Sequence, residues 1–210
     1  MVAHLSSRSV PRPPIKKGWS RLSTPYAMVV GALIVLGAII GAVGVAISDP
    51  QTSTVSCVMS DEAQARGLQQ QDARSLDDTE PALLTDVPVH VLNANGQTGQ
   101  AGQVAAELGE LGFATDGTSS AGNDSLYPNQ DLTCHGQIRY GEEGKASAAA
   151  LRLAAPCMQL VTDGRPGSDV DLALGSYFQE LSTDSQETLR ELANGQAVGK
   201  GVAPAAAAAC

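Results

Sequence analysis

The sequence has few aromatic residues, since Phe, Trp and Tyr make up 3% of its 210 residues. Many carbohydrate sites and single-strand nucleic-acid sites use several stacked rings, and a platform of that kind is not expected here. The sequence also has no G-x-S-x-G motif, and after residue 48 only His90 and His135 offer an imidazole. The usual signatures of a hydrolase are therefore absent.

Acidic residues are absent from the first 48 residues: all 22 Asp and Glu follow, together with eight of the 13 Lys and Arg. The part after residue 47 thus has a net charge of −14. Because a basic surface is the electrostatic signature of phosphate-backbone binding, nucleic acid is not an expected partner. The other five basic residues lie within residues 1–26, which we interpret as a basic cytoplasmic tail near anionic lipid.

Charge is also absent from residues 27–47, which predict a single transmembrane helix. A helix of this length spans about 31 Å, close to the ~30 Å hydrocarbon core. The positive-inside rule then places the N-terminus in the cytoplasm and the rest outside the membrane. The alternative is a signal peptide cleaved near Gly44-Val45-Ala46, but signal peptides have apolar regions of only about 7–15 residues. An uncleaved single-pass anchor in the cell membrane is favoured.

The remaining chain divides into three segments. Residues 48–86 are polar and predict an extracytoplasmic stalk, residues 87–183 a folded domain, and residues 184–210 a C-terminal helix and tail. The folded domain alternates strand and helix patterns in the order β-α-β-β-α-β-β, which predicts a two-layer α/β sandwich with ferredoxin-like topology among the candidates. The predicted strands cover Val87–Asn93, Phe113–Thr115, Gln137–Tyr140, Met158–Val161 and Val170–Leu174, with Gly117–Asp131 as a loop. A helix following the first strand should end at Gly112.

The four cysteines, Cys57, Cys134, Cys157 and Cys210, all follow the predicted span, where disulfides persist. Three pairings are possible, and no spacing resembles a zinc site. Cys134 and Cys157 each precede a strand, and the ends of adjacent parallel strands lie about 4.8 Å apart, which favours a Cys134–Cys157 bridge. Cys57 would then pair with Cys210, and an intermolecular bridge through Cys210 is the alternative.

Several segments resemble the LytR C-terminal domain family. They are Val89-His90-Val91-Leu92-Asn93-Ala94-Asn95-Gly96-Gln97-Thr98-Gly99-Gln100-Ala101, Leu111-Gly112-Phe113, Ile138-Arg139-Tyr140-Gly141 and Val170-Asp171-Leu172-Ala173-Leu174-Gly175. The resemblance covers about residues 87–178 and implies a non-catalytic role in maintaining the cell envelope. That family is often attached to enzymes that transfer glycopolymers onto peptidoglycan, and residues 48–86 are too few to hold such a catalytic domain.

A ligand loop is predicted between the first strand and the following helix, at Asn93, Asn95, Gly96, Thr98 and Gly99. Backbone amides at a helix start can bind an anion. The glycines Gly96, Gly99 and Gly102 follow a G-x-x-G-x-x-G pattern rather than the dinucleotide-binding G-x-G-x-x-G, and no Walker lysine follows. No cofactor is therefore expected, although Asp116 lies at the spacing of a ribose-binding acid.

Asp163, Asp169 and Asp171 form an acidic cluster that would suit calcium, but EF-hand spacing is absent and turns often contain Asp. No metal site and no catalytic residue are predicted, with His90 expected on the sheet surface opposite the valines and His135 at a strand edge.

The sequence thus predicts a membrane-anchored, extracytoplasmic, non-catalytic domain that binds a wall polymer, a lipid or an envelope protein. The alternatives are a homodimer that scaffolds other envelope proteins and a wall-polymer-modifying enzyme.

Overall fold

The computed structural model describes residues 56–204. The predicted cytoplasmic tail, the predicted transmembrane helix and Cys210 lie outside this range. Within residues 56–204, no helix combines the length and the apolar character that crossing a membrane requires.

A six-stranded mixed sheet forms the centre of the domain, with the strand order β1-β5-β4-β6-β2-β3. Strand β2 pairs in parallel with both β3 and β6, and β4 pairs in parallel with β5. The β4–β6 and β1–β5 pairs are antiparallel. The strands are β1 (Gln69–Gln70), β2 (Val89–Asn93), β3 (Ala121–Asn123), β4 (Gly136–Tyr140), β5 (Gln159–Thr162) and β6 (Val170–Leu174).

Four α-helices accompany the sheet: α1 (Asp61–Ala65), α2 (Gln100–Leu111), α3 (Lys145–Ala154) and α4 (Gln186–Ala193). The predicted α/β class is confirmed. Helices α2 and α3 each connect two adjacent parallel strands, so residues 56–204 contain two β-α-β units with β6 between them. A ferredoxin-like fold would place another strand inside each unit, and the topology is therefore a different one.

Helix α2 shows how the sequence sets these boundaries. Its buried residues recur at helical spacing and pack towards the sheet, as an amphipathic pattern predicts: Ala101, Val104, Ala105 and Leu108. The helix ends at Gly112, as expected from the sequence, where the backbone turns left-handed with φ 105°. A Cβ at Gly112 would lie 3.1 Å from Cβ of Ala193, so glycine also lets α4 pack closely.

The alternating strand pattern divides the core into two layers. On one face of the sheet, Val89, Val91, Ile138 and Leu172 pack in the core that includes α2, α3 and α4. On the opposite face, a smaller cluster is covered by α1 and the 124–134 loop, and we call this the loop-covered face. Its buried members are Cys57, Ala63, Ala94, Leu126, Tyr127, Leu132, Cys134 and Ala173.

Two predicted boundaries differ from the structure. Residues 113–115 contribute only an isolated bridge between Pro88 and Ala114, whereas β3 lies inside the predicted 117–131 loop. The β3 sequence, Ala-Gly-Asn, lacks the β-branched and alternating residues that indicate a strand. The described part of the predicted stalk also belongs to the fold, because Leu76 and Leu84 are buried in the main core.

The disulfide pairing differs as well, because Cys57 is bonded to Cys134. Strands β4 and β5 are adjacent and parallel, as the predicted Cys134–Cys157 bridge required. However, Cys134 packs in the loop-covered face. Cys157 instead lies in the sequence between Ala155 and Met158, which pack in the core on the other face of the sheet. The predicted pairs Cys134–Cys157 and Cys57–Cys210 are therefore wrong. Cys157 is disulfide-bonded too, and Cys210 lies outside the described residues.

Removing the Cys57–Cys134 bridge should destabilise the domain substantially. The bridge closes a loop with a sequence separation of 77 residues. In the chain-entropy model such a loop contributes about 4 kcal/mol, so we expect the Cys57→Ser, Cys134→Ser double variant to lose ~2–5 kcal/mol of unfolding free energy. Denaturant unfolding of the full chain, monitored by circular dichroism, measures this loss. An unchanged midpoint would show that the bridge does not restrain the unfolded chain.

Candidate functional site

The loop-covered face carries a concentration of charged side chains. Strand pairing aligns Arg139 on β4 with Asp171 on β6, and Asp171 in turn with His90 on β2. These positions face away from α2 and α3, as predicted for His90. Arg139 and Asp171 line a cavity of about 590 Å³, which we call the charged pocket. Its charged lining residues are Arg66, Asp124, Arg139, Asp163, Arg165, Asp169 and Asp171.

A buried ion pair between Arg139 and Asp124 forms the floor of the charged pocket. Both side chains are 1% exposed, and the guanidinium donates two hydrogen bonds to the carboxylate, at 3.1 and 2.6 Å. Nε of Arg139 also donates to Oε1 of Gln137 at 2.9 Å, and the guanidinium lies 5.6 Å from the ring centroid of Tyr127. Such a bidentate, fully hydrogen-bonded pair fixes the 124–134 loop to the central strand.

A second cluster surrounds Arg165, in the turn between β5 and β6. Its guanidinium donates to Asp163 at 2.8 Å, to Asp169 at 2.8 Å and to Asp171 at 3.0 Å. The hydrogen bonds to Asp171 raise the pKa of Arg165 above its ordinary value. Gly141 permits this arrangement, because a Cβ there would collide with the carbonyl oxygen of Arg165.

Asp163, Asp169 and Asp171, the three aspartates considered for calcium, thus lie together around the guanidinium of Arg165. Ligand atoms of His90, Asp169 and Asp171 lie within 4.8 Å of one another, with Nδ1 of His90 3.6 Å from Asp171. A metal ion at this position would compete with Arg165 for the same carboxylates. Because the charged pocket contains four carboxylates and three guanidinium groups, it suits a neutral or cationic ligand better than an anionic one.

The predicted ligand loop is held mainly by its own side chains. Oδ1 of Asn93 accepts hydrogen bonds from the N–H groups of Asn95 and Gly96, both at 3.1 Å. Asn95 donates to the carbonyl of Gly175 at 2.8 Å, which ties the loop to the end of β6. Gly99 has a φ of 83° and begins α2, and Thr98 precedes it in the turn. A ligand for this loop remains a prediction.

The sequence patterns missed a second cavity, beyond the end of β6. This cavity of about 460 Å³, which we call the Tyr177 groove, lies between the 177–184 segment and residues 155–158. The Tyr177 side chain is 48% exposed, and its ring meets that of His135 edge-on, with the centroids 6.2 Å apart. The only signal in the sequence is an aromatic pair directly after a strand, which typically indicates core packing.

The fold and these sites define a disulfide-bonded α/β domain whose surface carries the charged pocket and the Tyr177 groove. Residues 86–178 match the model of the family described as LytR cell envelope-related transcriptional attenuator, which covers nearly the same residues as the resemblance in the sequence. Residues 86–178 therefore belong to this LytR C-terminal domain family.

Two relatives are informative. The chain is 50% identical over 105 residues to the cell envelope integrity protein Cei of Mycobacterium tuberculosis, a match that spans 50% of this chain and 47% of the relative. It is also similar to the crystal structure of the soluble domain of a conserved hypothetical secreted protein from Mycobacterium marinum. That comparison has 42% identity and a TM-score of 0.56, and it covers 59% of this chain and 83% of the other.

Breaking the Arg139–Asp124 pair should cost much more than breaking an exposed one. We expect Arg139→Met to lose about 3–5 kcal/mol of unfolding free energy, because a buried carboxylate is left uncompensated. The double variant Arg139→Met, Asp124→Leu should lose less than Arg139→Met alone, since no buried charge remains. Denaturant unfolding of the full chain measures each loss.

The Lys145–Glu142 pair provides the matched control, with side chains that are 44% and 82% exposed. Glu142→Gln should lower the unfolding free energy far less than Arg139→Met does, because solvent screens this exposed pair. Equal losses for Glu142→Gln and Arg139→Met would contradict the role assigned to the buried pair.

Alkaline pH should weaken the domain through Tyr127. Burial raises the pKa of Tyr127 above its ordinary value of 10.0. The folded state therefore holds this proton more tightly than the unfolded state, and the resulting stabilisation is complete below pH ~10 and lost as pH rises through the higher folded pKa. Unfolding free energies measured from pH 8 to 12 should fall less steeply for Tyr127→Phe than for the parent. Parallel curves would contradict this assignment.

Proposed function

We propose that this chain is a membrane-anchored protein whose extracytoplasmic domain maintains the cell envelope by binding one of its components, without catalysing a reaction. The observation that carries the proposal is the 50% identity to an envelope integrity protein over 105 residues. The bonded Cys57–Cys134 pair supports an oxidising location for the domain, and the similar solved structure comes from a protein described as secreted.

Binding is favoured over catalysis because two arginines of the charged pocket are already paired with carboxylates. In the charged pocket, the two most enclosed cations, Arg139 and Arg165, are each already hydrogen-bonded to carboxylates. Catalytic acids and bases usually need a group that is held ready to exchange a proton with a substrate. A mutually neutralising network instead gives a fixed polar surface, which suits recognition.

The anchor is the second part of the proposal. It rests on the uncharged residues 27–47 and on the basic residues before them. The chain should therefore remain with the membrane fraction after a high-salt wash, and added protease should digest the domain only from the outer side. Recovery of the full-length chain from the wash would argue against an anchor.

Loss of the gene should make the envelope more permeable. We expect a deletion strain to take up ethidium faster and to become more sensitive to wall-active antibiotics, and we expect the full chain to restore both. A variant of residues 48–210 exported behind a cleavable signal peptide is the control for anchoring, and it should restore the barrier poorly. A deletion strain with normal uptake and normal sensitivity would contradict an integrity role.

Incubation of the purified full chain with peptidoglycan and lipid-linked precursors separates binding from the enzymatic alternative. Binding predicts co-sedimentation of the protein with one of these components and unchanged mass spectra of all of them. A new glycan or peptide product would favour a wall-polymer-modifying enzyme.

A further inference from the structure

The geometry of the Tyr177 groove points to a binding site for a neutral saccharide, which we propose as the envelope component that this domain recognises. The inference rests on the proposed binding function and names the ligand class and the site. It depends on one exposed aromatic ring, the polar side chains beside it and their charge.

The backbone that carries the exposed ring of Tyr177 is held in place. Its backbone N–H donates to the carbonyl of Cys134 at 2.9 Å, and the next residue, Phe178, is only 6% exposed and anchors the segment in the core. Gly175 allows this close approach, since a Cβ there would collide with the same carbonyl oxygen of Cys134. Because this backbone is already ordered, a ligand that stacks on the ring has only the side-chain torsions of Tyr177 left to restrict.

Exposure of such a ring is unusual for this domain. Among residues 56–204, the large hydrophobic side chains that are exposed are Val58 and Tyr177, so Tyr177 is the one aromatic of the two. The low aromatic content argued against a platform of several rings, but a single ring can still stack on one sugar unit. The cavity beside it, about 460 Å³, falls within the range of roughly 300–1,000 Å³ that is typical of small-ligand sites.

The other lining groups match the hydroxyl groups of a sugar. Ser182 and Thr183 offer hydroxyls that donate and accept hydrogen bonds, and the Gln179 amide does both as well. Ser182 is fixed, because its N–H donates to the carbonyl of Ala154 at 2.8 Å and its Oγ accepts from the N–H of Asp184 at 3.2 Å. Hydrogen-bonding side chains and an exposed ring in one cavity are the elements that recognise a saccharide.

The charged residues of the Tyr177 groove determine which class of saccharide it can bind. The acidic residues Glu180 and Asp184 line the groove, and none of its lining residues within the described part of the chain is Lys or Arg. Carboxylates accept hydrogen bonds from hydroxyls but repel phosphate and uronate groups. The site should therefore bind neutral oligosaccharides and reject polyanionic wall polymers.

Titration of the full chain in nanodiscs tests this assignment. The probes are chitotriose, neutral oligosaccharides released by mild acid from the cell wall of the source bacterium, and poly(glycerol phosphate) as the anionic comparison. Saturation-transfer NMR should show binding of at least one neutral probe and none of the polyanion. Tyr177→Ala should weaken that binding at least about tenfold, whereas Tyr177→Phe, which keeps the ring, should stay within about threefold.

Val58→Ala is the matched control, because it removes the other exposed hydrophobic side chain and leaves the groove intact. It should not change the affinity. The inference is overturned if neither neutral probe binds, if Tyr177→Ala binds as well as the parent, or if Tyr177→Ala instead loses a protein partner while it retains the sugar.

The outcomes also separate this inference from the proposed function. A permeable deletion strain together with a full chain that binds no neutral probe would overturn the saccharide site alone. A deletion strain with an intact barrier, together with Tyr177-dependent sugar binding, would support the saccharide site and contradict the envelope function.

Discussion

The bidentate ion pair between Arg139 and Asp124 is the constraint on which the rest of the loop-covered face depends. Both side chains are 1% exposed, so neither charge has water to compensate it if the other moves. Because Asp124 begins the 124–134 loop and Arg139 lies on the central strand β4, the pair fixes that loop over the sheet. The position of Cys134 for its bond to Cys57 follows from the same placement.

The charged pocket and the Tyr177 groove differ in the charged residues that line them. In the charged pocket, Arg165 is hydrogen-bonded to three aspartates, which makes the network chiefly a rigid support for the turn between β5 and β6. The Tyr177 groove has an exposed ring and hydroxyl groups, and its described lining residues include neither Lys nor Arg. A cavity whose charges are already paired contributes to architecture, whereas an exposed ring beside polar side chains can recognise a ligand.

Much of the fold could be predicted from the sequence, because local periodicity encodes it. The alternating valines of β2, helix α2 with its end at Gly112, and the strands β4 to β6 are all present. Strand β3 was missed because Ala-Gly-Asn has no periodic signal, and the disulfide was misassigned because strand adjacency does not specify the face on which a side chain lies. The pairing of Arg139 with Asp124, 15 residues away, and the exposure of Tyr177 likewise depend on tertiary packing that no local pattern contains.

The Cys57–Cys134 bond also determines how the domain carries mechanical load. The chain enters the described domain at Ser56, one residue before the bond, and Cys134 lies two residues before β4, a central strand of the sheet. A pull applied through the preceding segment would pass across the covalent bond directly to β4. The residues enclosed by the bond, including α1 and the edge strands β1 and β3, would then bear none of that tension and could keep their packing under load.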